Sequence, residues 1–388
     1  MSDFSLNYLR LPFEEMEAIV MRFENRVSEG LQKAPPTRDV VKKAVRRQYP
    51  AYCPCRLNRL STDIIVRYGD SLADLFYEYP DDIVFVNPYH GFVGYQPVDK
   101  KDKIIPLKVL MKESEWTDEW GTTWAHASGG VGGTPVGHPI TDWTQLDNYI
   151  RRQMPNAHAP GRLDTAATVI NTYTPDKYCM GTIQVTLFER LYFVRGMENI
   201  FEDMYIHEKE VRRLADAIME YNLELVKLWG RLGPDGLLLT DDWGTQTTLM
   251  ISPEMWRKIF KPYYKTLFDA IHREGMDVCL HSCGNVTEIV GDLIDIGLDI
   301  LDPLQPEAMD LKEIARRFGG HITFHGAIDD QRLLNRATPQ ELKDNIHWLI
   351  ETLGKSFGNG FILCPTTSIS PETPMENLRA LFEACHEQ

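Results

Sequence analysis

The chain has 388 residues, with 41 Lys and Arg against 56 Asp and Glu, a formal net charge of −15 and 43% hydrophobic residues. That composition suffices for an ordinary globular core, and its acidic excess argues against nucleic acid or an anionic membrane surface as the main partner. The longest apolar runs, such as Leu237-Leu238-Leu239, are strand-sized and far short of the ~20 residues a bilayer helix needs.

The first residues, Met1-Ser2-Asp3-Phe4, lack the basic-then-apolar pattern of a secretory signal. Seven cysteines, an odd number scattered along a long chain, fit a reducing cytoplasm better than a disulfide scaffold. Residues 8–30 place Ile19, Val20, Phe23 and Val27 near helical spacing among Glu14, Glu15, Glu17 and Glu24, which predicts an amphipathic helix. A second helix is expected over 60–78, before Pro80. Asp82–Asn87 is a short apolar run stopped by Pro88, the form of a buried parallel strand. Residues 90–165 are rich in Gly, Trp and Pro and read as a long irregular insertion with some β structure. Its run Gly129-Gly130-Val131-Gly132-Gly133 is not followed by Lys-Ser/Thr, so it reads as a flexible turn and not as a phosphate loop.

From residue 179 strands and helices alternate, with strands expected over 181–187, 236–240, 276–281, 298–302, 321–325 and 360–364. Such alternation means repeated βα units and a parallel sheet. The expected fold is α/β, a (β/α)₈ TIM barrel in one elaborated domain over 1–388: an N-terminal helical extension (1–80), the insertion (90–165) and regular repeats (180–388). Seven strands are visible, and an eighth could lie within 90–165.

In such barrels the active site lies at the C-terminal ends of the strands. Those ends here read Asn87, Asp241-Asp242-Trp243-Gly244-Thr245-Gln246, His281-Ser282-Cys283-Gly284, Asp302 with Gln305, His325 with Asp329, and Cys364. On a strand, residues i and i+2 face the same side, so His281 and Cys283 can converge on one point. Imidazole and thiolate are natural zinc ligands, and Cys364 on the last strand is a candidate third. Asp241 and Asp242 face opposite ways on an extended segment, so one points into the mouth while the other caps a helix or binds a backbone donor. His325 and Asp329 read either as an acid/base pair or as a histidine hydrogen-bonded under a loop, and Glu189-Arg190 reads either as a substrate contact or, preferably, as an ion pair. Asp241, Asp242 and His325 are the candidate catalytic groups, with Asn87, Trp120, Trp243, Gln246 and Gln305 as substrate contacts. Trp124 adds to the aromatic content of the rim. Cys53-Pro54-Cys55 has no neighbouring His, Cys279 is expected to pack below the site, and Cys385 is read as a packing residue.

Asp241-Asp-Trp-Gly-Thr-Gln246, Ser252-Pro253, Pro262-Tyr263-Tyr264, His281-Ser-Cys-Gly284, Phe324-His-Gly326 and Ser370-Pro371 with Pro374-x-Glu376-Asn377 together resemble the uroporphyrinogen decarboxylase superfamily, well over 180–388 and loosely before. The resemblance implies a (β/α)₈ barrel. It also implies one of two activities: cofactor-free decarboxylation of a porphyrinogen-like polycarboxylate, or zinc-dependent methyl transfer with a partner corrinoid protein. The decarboxylases' arginine-rich R-Q-A-G-R motif has no counterpart in Ala51–Arg59, whereas His281-x-Cys283 resembles the methyltransferase zinc motif. The methyltransferases' third ligand, a cysteine, aligns with Thr367, three residues after Cys364. Either Cys364 substitutes, or Asp241 or Asp242 completes the site, or no metal binds. The expectation is a cytoplasmic corrinoid-linked methyltransferase acting on a small methoxylated compound or a thiol, with zinc at His281, Cys283 and Cys364. A homodimer is compatible with it.

Overall fold

The computed structural model describes residues 11–87, 114–126 and 133–388. Most of the glycine run at 129–133, the expected strand stop at Pro88 and much of the insertion lie outside the described residues. Seven strands are hydrogen-bonded in the order β1 (Ile83–Val86), β5 (Tyr178–Ile183), β6 (Gly236–Thr240), β7 (Asp277–His281), β8 (Ile300–Leu304), β9 (Thr323–Ile328) and β10 (Phe361–Pro365). The strands are parallel and alternate with helices, the α/β TIM-barrel-like architecture that the sequence predicts. The insertion instead forms a small antiparallel sheet of β2 (Ser114–Thr117), β3 (Thr123–His126) and β4 (Thr134–Gly137). Among the described residues no helix is long and apolar enough to cross a membrane.

The chain divides into two compact units: residues 1–84, 175–178 and 303–388, and residues 85–174 and 179–302. In the first, the expected N-terminal helix spans Phe13–Lys33. It buries Met16, Val20, Phe23 and Val27, and Phe23 meets Phe76 of the helix Thr62–Glu78 edge to face. Pro35 and Pro36, which cannot continue a helix, follow its end. Among the described residues, the place beside both β10 and the start of β1 is taken by a segment outside 90–165. Arg56 N–H donates to the Leu363 carbonyl at 2.8 Å, Leu363 N–H donates to the Pro54 carbonyl at 2.9 Å, and Asp82 N–H donates to the Cys55 carbonyl at 3.0 Å. Pro54–Arg56 thus bonds to β10 on one side and to the start of β1 on the other, where an eighth strand would run. Pro54 lacks a ladder donor, so the segment is reduced to an isolated bridge. Buried carboxylates accept the remaining N–H groups: Asp82 that of Cys55 at 2.9 Å, and Asp81 those of Leu57 and Asn58 at 2.6 and 2.9 Å.

In the second unit, β5 to β8 pair in parallel register, with Thr240 opposite His281 and His281 opposite Asp302. The helix Glu208–Leu232 lies over β5, and Trp229 packs where a side chain at Gly181 would stand, 2.7 Å from an added Cβ. β5 ends earlier than Ile183-Gln184-Val185-Thr186-Leu187 suggests. Val185 has φ 56, a conformation that ends a strand, and the next residues lead into the helix Phe188–Arg195. β8 and β9 run about two residues further than expected, so Asp302 and His325 are interior residues of their strands and not their last.

Asp82→Ala is expected to lower stability by about 2–3 kcal/mol, because it orphans the Cys55 N–H and the Tyr52 hydroxyl. Tyr52→Phe, which removes only one donor, should cost about 1 kcal/mol or less; urea unfolding of the two variants measures the difference.

Candidate metal centre

The site of the second unit is built where β6 and β7 end. Asp241 and Asp242 follow β6 and turn opposite ways, as alternate residues on extended backbone must. Asp241 is fully buried. Its carboxylate accepts from the N–H groups of Leu187, Phe188 and Glu189 at 2.9, 2.7 and 2.7 Å, and from the Tyr264 hydroxyl. It therefore caps the helix Phe188–Arg195, whose first N–H groups have no partner within the helix. Burial pushes Asp241 up to about 6, against the pull of these donors. Asp242 has a side chain 32% exposed and accepts from Cys283 N–H through Oδ1 at 2.8 Å.

The loops after β6 and β7 touch backbone to backbone. A Cβ on Gly284, which has φ +82, would stand 2.4 Å from the Gly244 carbonyl carbon. Gly244 N–H donates to the Cys283 carbonyl at 3.1 Å, and Asn285 N–H to the Thr245 carbonyl at 2.8 Å. This close approach brings Asp242 to His281 and Cys283. His281 Nε2 lies 3.8 Å from Asp242 Oδ1 and 3.4 Å from Cys283 Sγ, and one ligand atom from each of the three residues lies within 4.8 Å of the others. His281 Nδ1 bonds at 2.5 Å to Asp302, whose side chain is 1% exposed. Burial works to lower the His281 pKa, but the charge and hydrogen bond of Asp302, joined by Cys283, hold it well above its ordinary value.

Glu189 is the group that sequence reasoning assigned wrongly. Adjacent helical residues do not face each other: Arg190 pairs with Asp118 at 3.5 Å and lies over the Trp120 ring, while Glu189 accepts from the Tyr192 hydroxyl at 3.2 Å. Burial, then the charges of Asp242 and Asp241, push Glu189 up to about 8. Asp302 stood among the strand ends without a role; its signal was that it ends the apolar run following the one that ends in His281.

The other candidates fall elsewhere. Trp243 is fully buried, stacked on Phe188 with its Nε1–H directed to the Tyr264 hydroxyl, and so serves the core. Trp120 is buried against Tyr221, and Trp124 stacks on Trp116. Asn87 and Gln246 are exposed, and Gln305 is half-buried. In the first unit, His325 and Cys364 are both buried side by side. Burial would raise the Cys364 thiol, but His325, Arg56 and Arg59 lower it below its ordinary value. Asp329 accepts from the N–H groups of Gln331 and Arg332, and Thr366 and Thr367 both donate to Asp330. All seven cysteines are free.

The uroporphyrinogen decarboxylase (URO-D) family matches residues 132–388, well over half of the chain. The chain belongs to this family. Methylcobamide:CoM methyltransferase MtbA of Methanosarcina acetivorans is 25% identical over 183 residues, 47% of this chain and 51% of that protein. A uroporphyrinogen decarboxylase of Legionella pneumophila is 22% identical over 196 residues, 50% of this chain and 52% of that protein. The chain thus spans about half the length of the curated relatives it matches. A solved methyltransferase from Methanosarcina mazei shares the fold, with a TM-score of 0.63 at 15% identity, over 91% of this chain and 99% of that one.

The two neighbouring aspartates should separate cleanly on mutation. Asp241→Ala, which strands four buried donors, is expected to cost about 3 kcal/mol or more in urea unfolding. Asp242→Ala, at a partly exposed position, is expected to cost under about 1 kcal/mol.

Proposed function

We propose that the protein is a zinc-dependent methyltransferase that exchanges a methyl group with the corrinoid of a partner protein, either demethylating a small methoxylated compound, aromatic ones included, or passing methyl to a thiol. The observation that carries this reading is the convergence of Asp242, His281 and Cys283. The donor set fits zinc: one thiol, one imidazole and one carboxylate, the three-ligand kind that catalytic zinc sites use. Asp302 on His281 Nδ1 is the outer partner that zinc-bound histidines commonly keep. The methylcobamide:CoM methyltransferase among the relatives supports the reaction class. In this reading Asp242, and not Cys364, is the third ligand.

Zinc bound at these residues supplies Lewis acidity, which lowers a thiol's pKa or polarises a methoxyl oxygen. The partner's corrinoid supplies the cobalt centre that carries the methyl group. The chain's own residues do the rest. Asp302 accepts the Nδ1–H of His281 and so aims the Nε2 lone pair at the point shared with Asp242 and Cys283. The Cys283 N–H fixes Asp242. Glu189, pushed up to about 8, holds a proton near neutral pH that a departing oxygen takes up as its bond to methyl breaks. The same carboxylate, once ionised, accepts the proton of an incoming thiol. Free thiols such as Cys283 fit a cytoplasmic location.

Decarboxylation of a porphyrinogen-like polycarboxylate is the other reading, and one relative is such a decarboxylase. The charges oppose it: Glu189, Asp241 and Asp242 act on one another, and Asp302 faces His281. A polycarboxylate would meet like charge here.

With purified protein, zinc, candidate corrinoid proteins in reduced form, and methoxylated or thiol substrates, the cobalt absorption spectrum is expected to change on methyl transfer; no change with either substrate class overturns the reading. By elemental analysis, His281→Ala and Cys283→Ala should lose zinc, Asp302→Asn should bind it about 10–100-fold more weakly, and Cys364→Ala should retain it. Activity that needs the Glu189 proton should fall as pH rises through a limb at about 8, or lower where bound zinc adds positive charge. That limb should be absent in Glu189→Gln, as a pH–rate profile would show.

A further inference from the structure

Between β5 and the return helix Glu208–Leu232 the second unit inserts two helices, Phe188–Arg195 and Met197–Ile206. The first starts on Asp241, at the end of the strands that carries Asp242, His281 and Cys283. The second buries Ile200, Asp203 and Met204 and turns another face outward. On that face Met197, Phe201 and Tyr205 follow at i, i+4 and i+8, one continuous stripe. Met197 is 40% exposed and Tyr205 72%, with Ile206 beside it at 60%, while Phe201 is half-buried. Tyr205 and Ile206 are among the most exposed large hydrophobics of the described residues. Exposed Glu198 and Glu202 run alongside the stripe.

The stripe is tied to the metal centre by aromatic contacts. Phe201 meets Phe188 at 6.1 Å between ring centroids, and Phe188 stacks at 4.2 Å on Trp243, the residue after Asp242. We propose that the Met197–Phe201–Tyr205 stripe is the docking surface for the corrinoid-carrying partner, which presents an apolar patch rimmed by Lys and Arg. This rests on the methyltransferase reading above. A macrocycle held by a protein reaches a metal centre only if its carrier settles close to that centre, and one layer of rings, Phe188 and Trp243, separates the stripe from Asp242. The charges choose the partner. A second copy packed on the same stripe about a two-fold axis would set Glu198 and Glu202 close to their own counterparts on a chain of net charge −15. A basic rim meets the same residues with attraction.

The test uses the full-length zinc-loaded protein, the double variant Tyr205→Ser/Ile206→Ser, free methylcobalamin, and the corrinoid protein that sustains wild-type turnover. The expected result is a KM for the corrinoid protein raised about tenfold or more in the variant, with turnover of free methylcobalamin unchanged within about twofold. The wild-type KM for the corrinoid protein should also rise with salt, as paired opposite charges are screened. An unchanged KM overturns the proposal, and so does an equal loss with both methyl carriers, which marks a structural role. A wild-type dimer in sedimentation that the variant dissolves also overturns it, in favour of a second copy. Wild-type protein inert toward both methyl carriers overturns the methyltransferase reading itself, and the docking proposal with it; that result differs from a defect confined to the variant.

Discussion

A buried carboxylate, Asp241, accepts hydrogen bonds from three consecutive backbone N–H groups and from the Tyr264 hydroxyl. Taking a carboxylate out of water is costly, and it is tolerated only where hydrogen bonds replace the lost hydration. Here a helix N-terminus supplies them, and its dipole adds to the attraction. The arrangement ties the end of β6 to the start of the helix Phe188–Arg195 and to the helix Lys261–Arg273. Two consequences reach the site. Glu189, whose N–H is one of the three, is fixed near the ligand group. Asp242, the next residue along extended backbone, is turned the other way, toward His281 and Cys283.

The second constraint is the absence of side chains at Gly244 and Gly284. Two loops that cross at backbone distance leave no slack, so Cys283 N–H reaches Asp242 and the Cys283 carbonyl accepts from Gly244. Ser282 between them donates nothing to the ligand group; its hydroxyl accepts from Trp243 N–H at 2.9 Å and closes the same turn. Trp243 serves this frame from within, its ring fixed between Phe188, Phe260 and Trp256. Trp243, expected to meet a substrate, is here a buried ring beside Asp242.

What the sequence disclosed follows from the range of each signal. Apolar runs alternating with amphipathic text reveal parallel βα units, because burial of one face imposes its period locally. His281-x-Cys283 was legible for the same reason: two residues on one strand face need no knowledge of the rest of the chain. The division of labour between Asp241 and Asp242 was foreseen in kind, since alternation demands it, but not in which residue took which part. Other features were hidden because they depend on register between distant segments. Asp302 meets His281 only through the pairing of β7 with β8. Asp242 joins Cys283 through the glycine crossing. Pro54–Arg56 fills the eighth position with no strand-like text at all, because Asp81 and Asp82 supply the acceptors that a longer ladder would have supplied. β5 was placed too late because Ile183–Leu187 has strand-forming text, while the positive φ of Val185 is set by tertiary contacts: its N–H bonds to Thr240 Oγ1 at 2.7 Å.

The charge balance of the second unit's site has a consequence for what it would bind. Asp242, Asp302 and Glu189 gather with the Cys283 thiol about a single imidazole, and Asp242 pairs with that imidazole at 3.8 Å. Without a metal, the arrangement eases this repulsion by keeping protons: on Glu189, held up to about 8, and on His281, held well above its usual value. A divalent cation in their midst would need the Nε2 lone pair of His281, so binding it would release that proton. Its charge would also weaken the repulsion that keeps the Glu189 proton in place. Metal uptake at these residues would therefore be coupled to proton release, and affinity would rise with pH. The acidity that makes the site a poor seat for a polycarboxylate is the property that suits it to a cation.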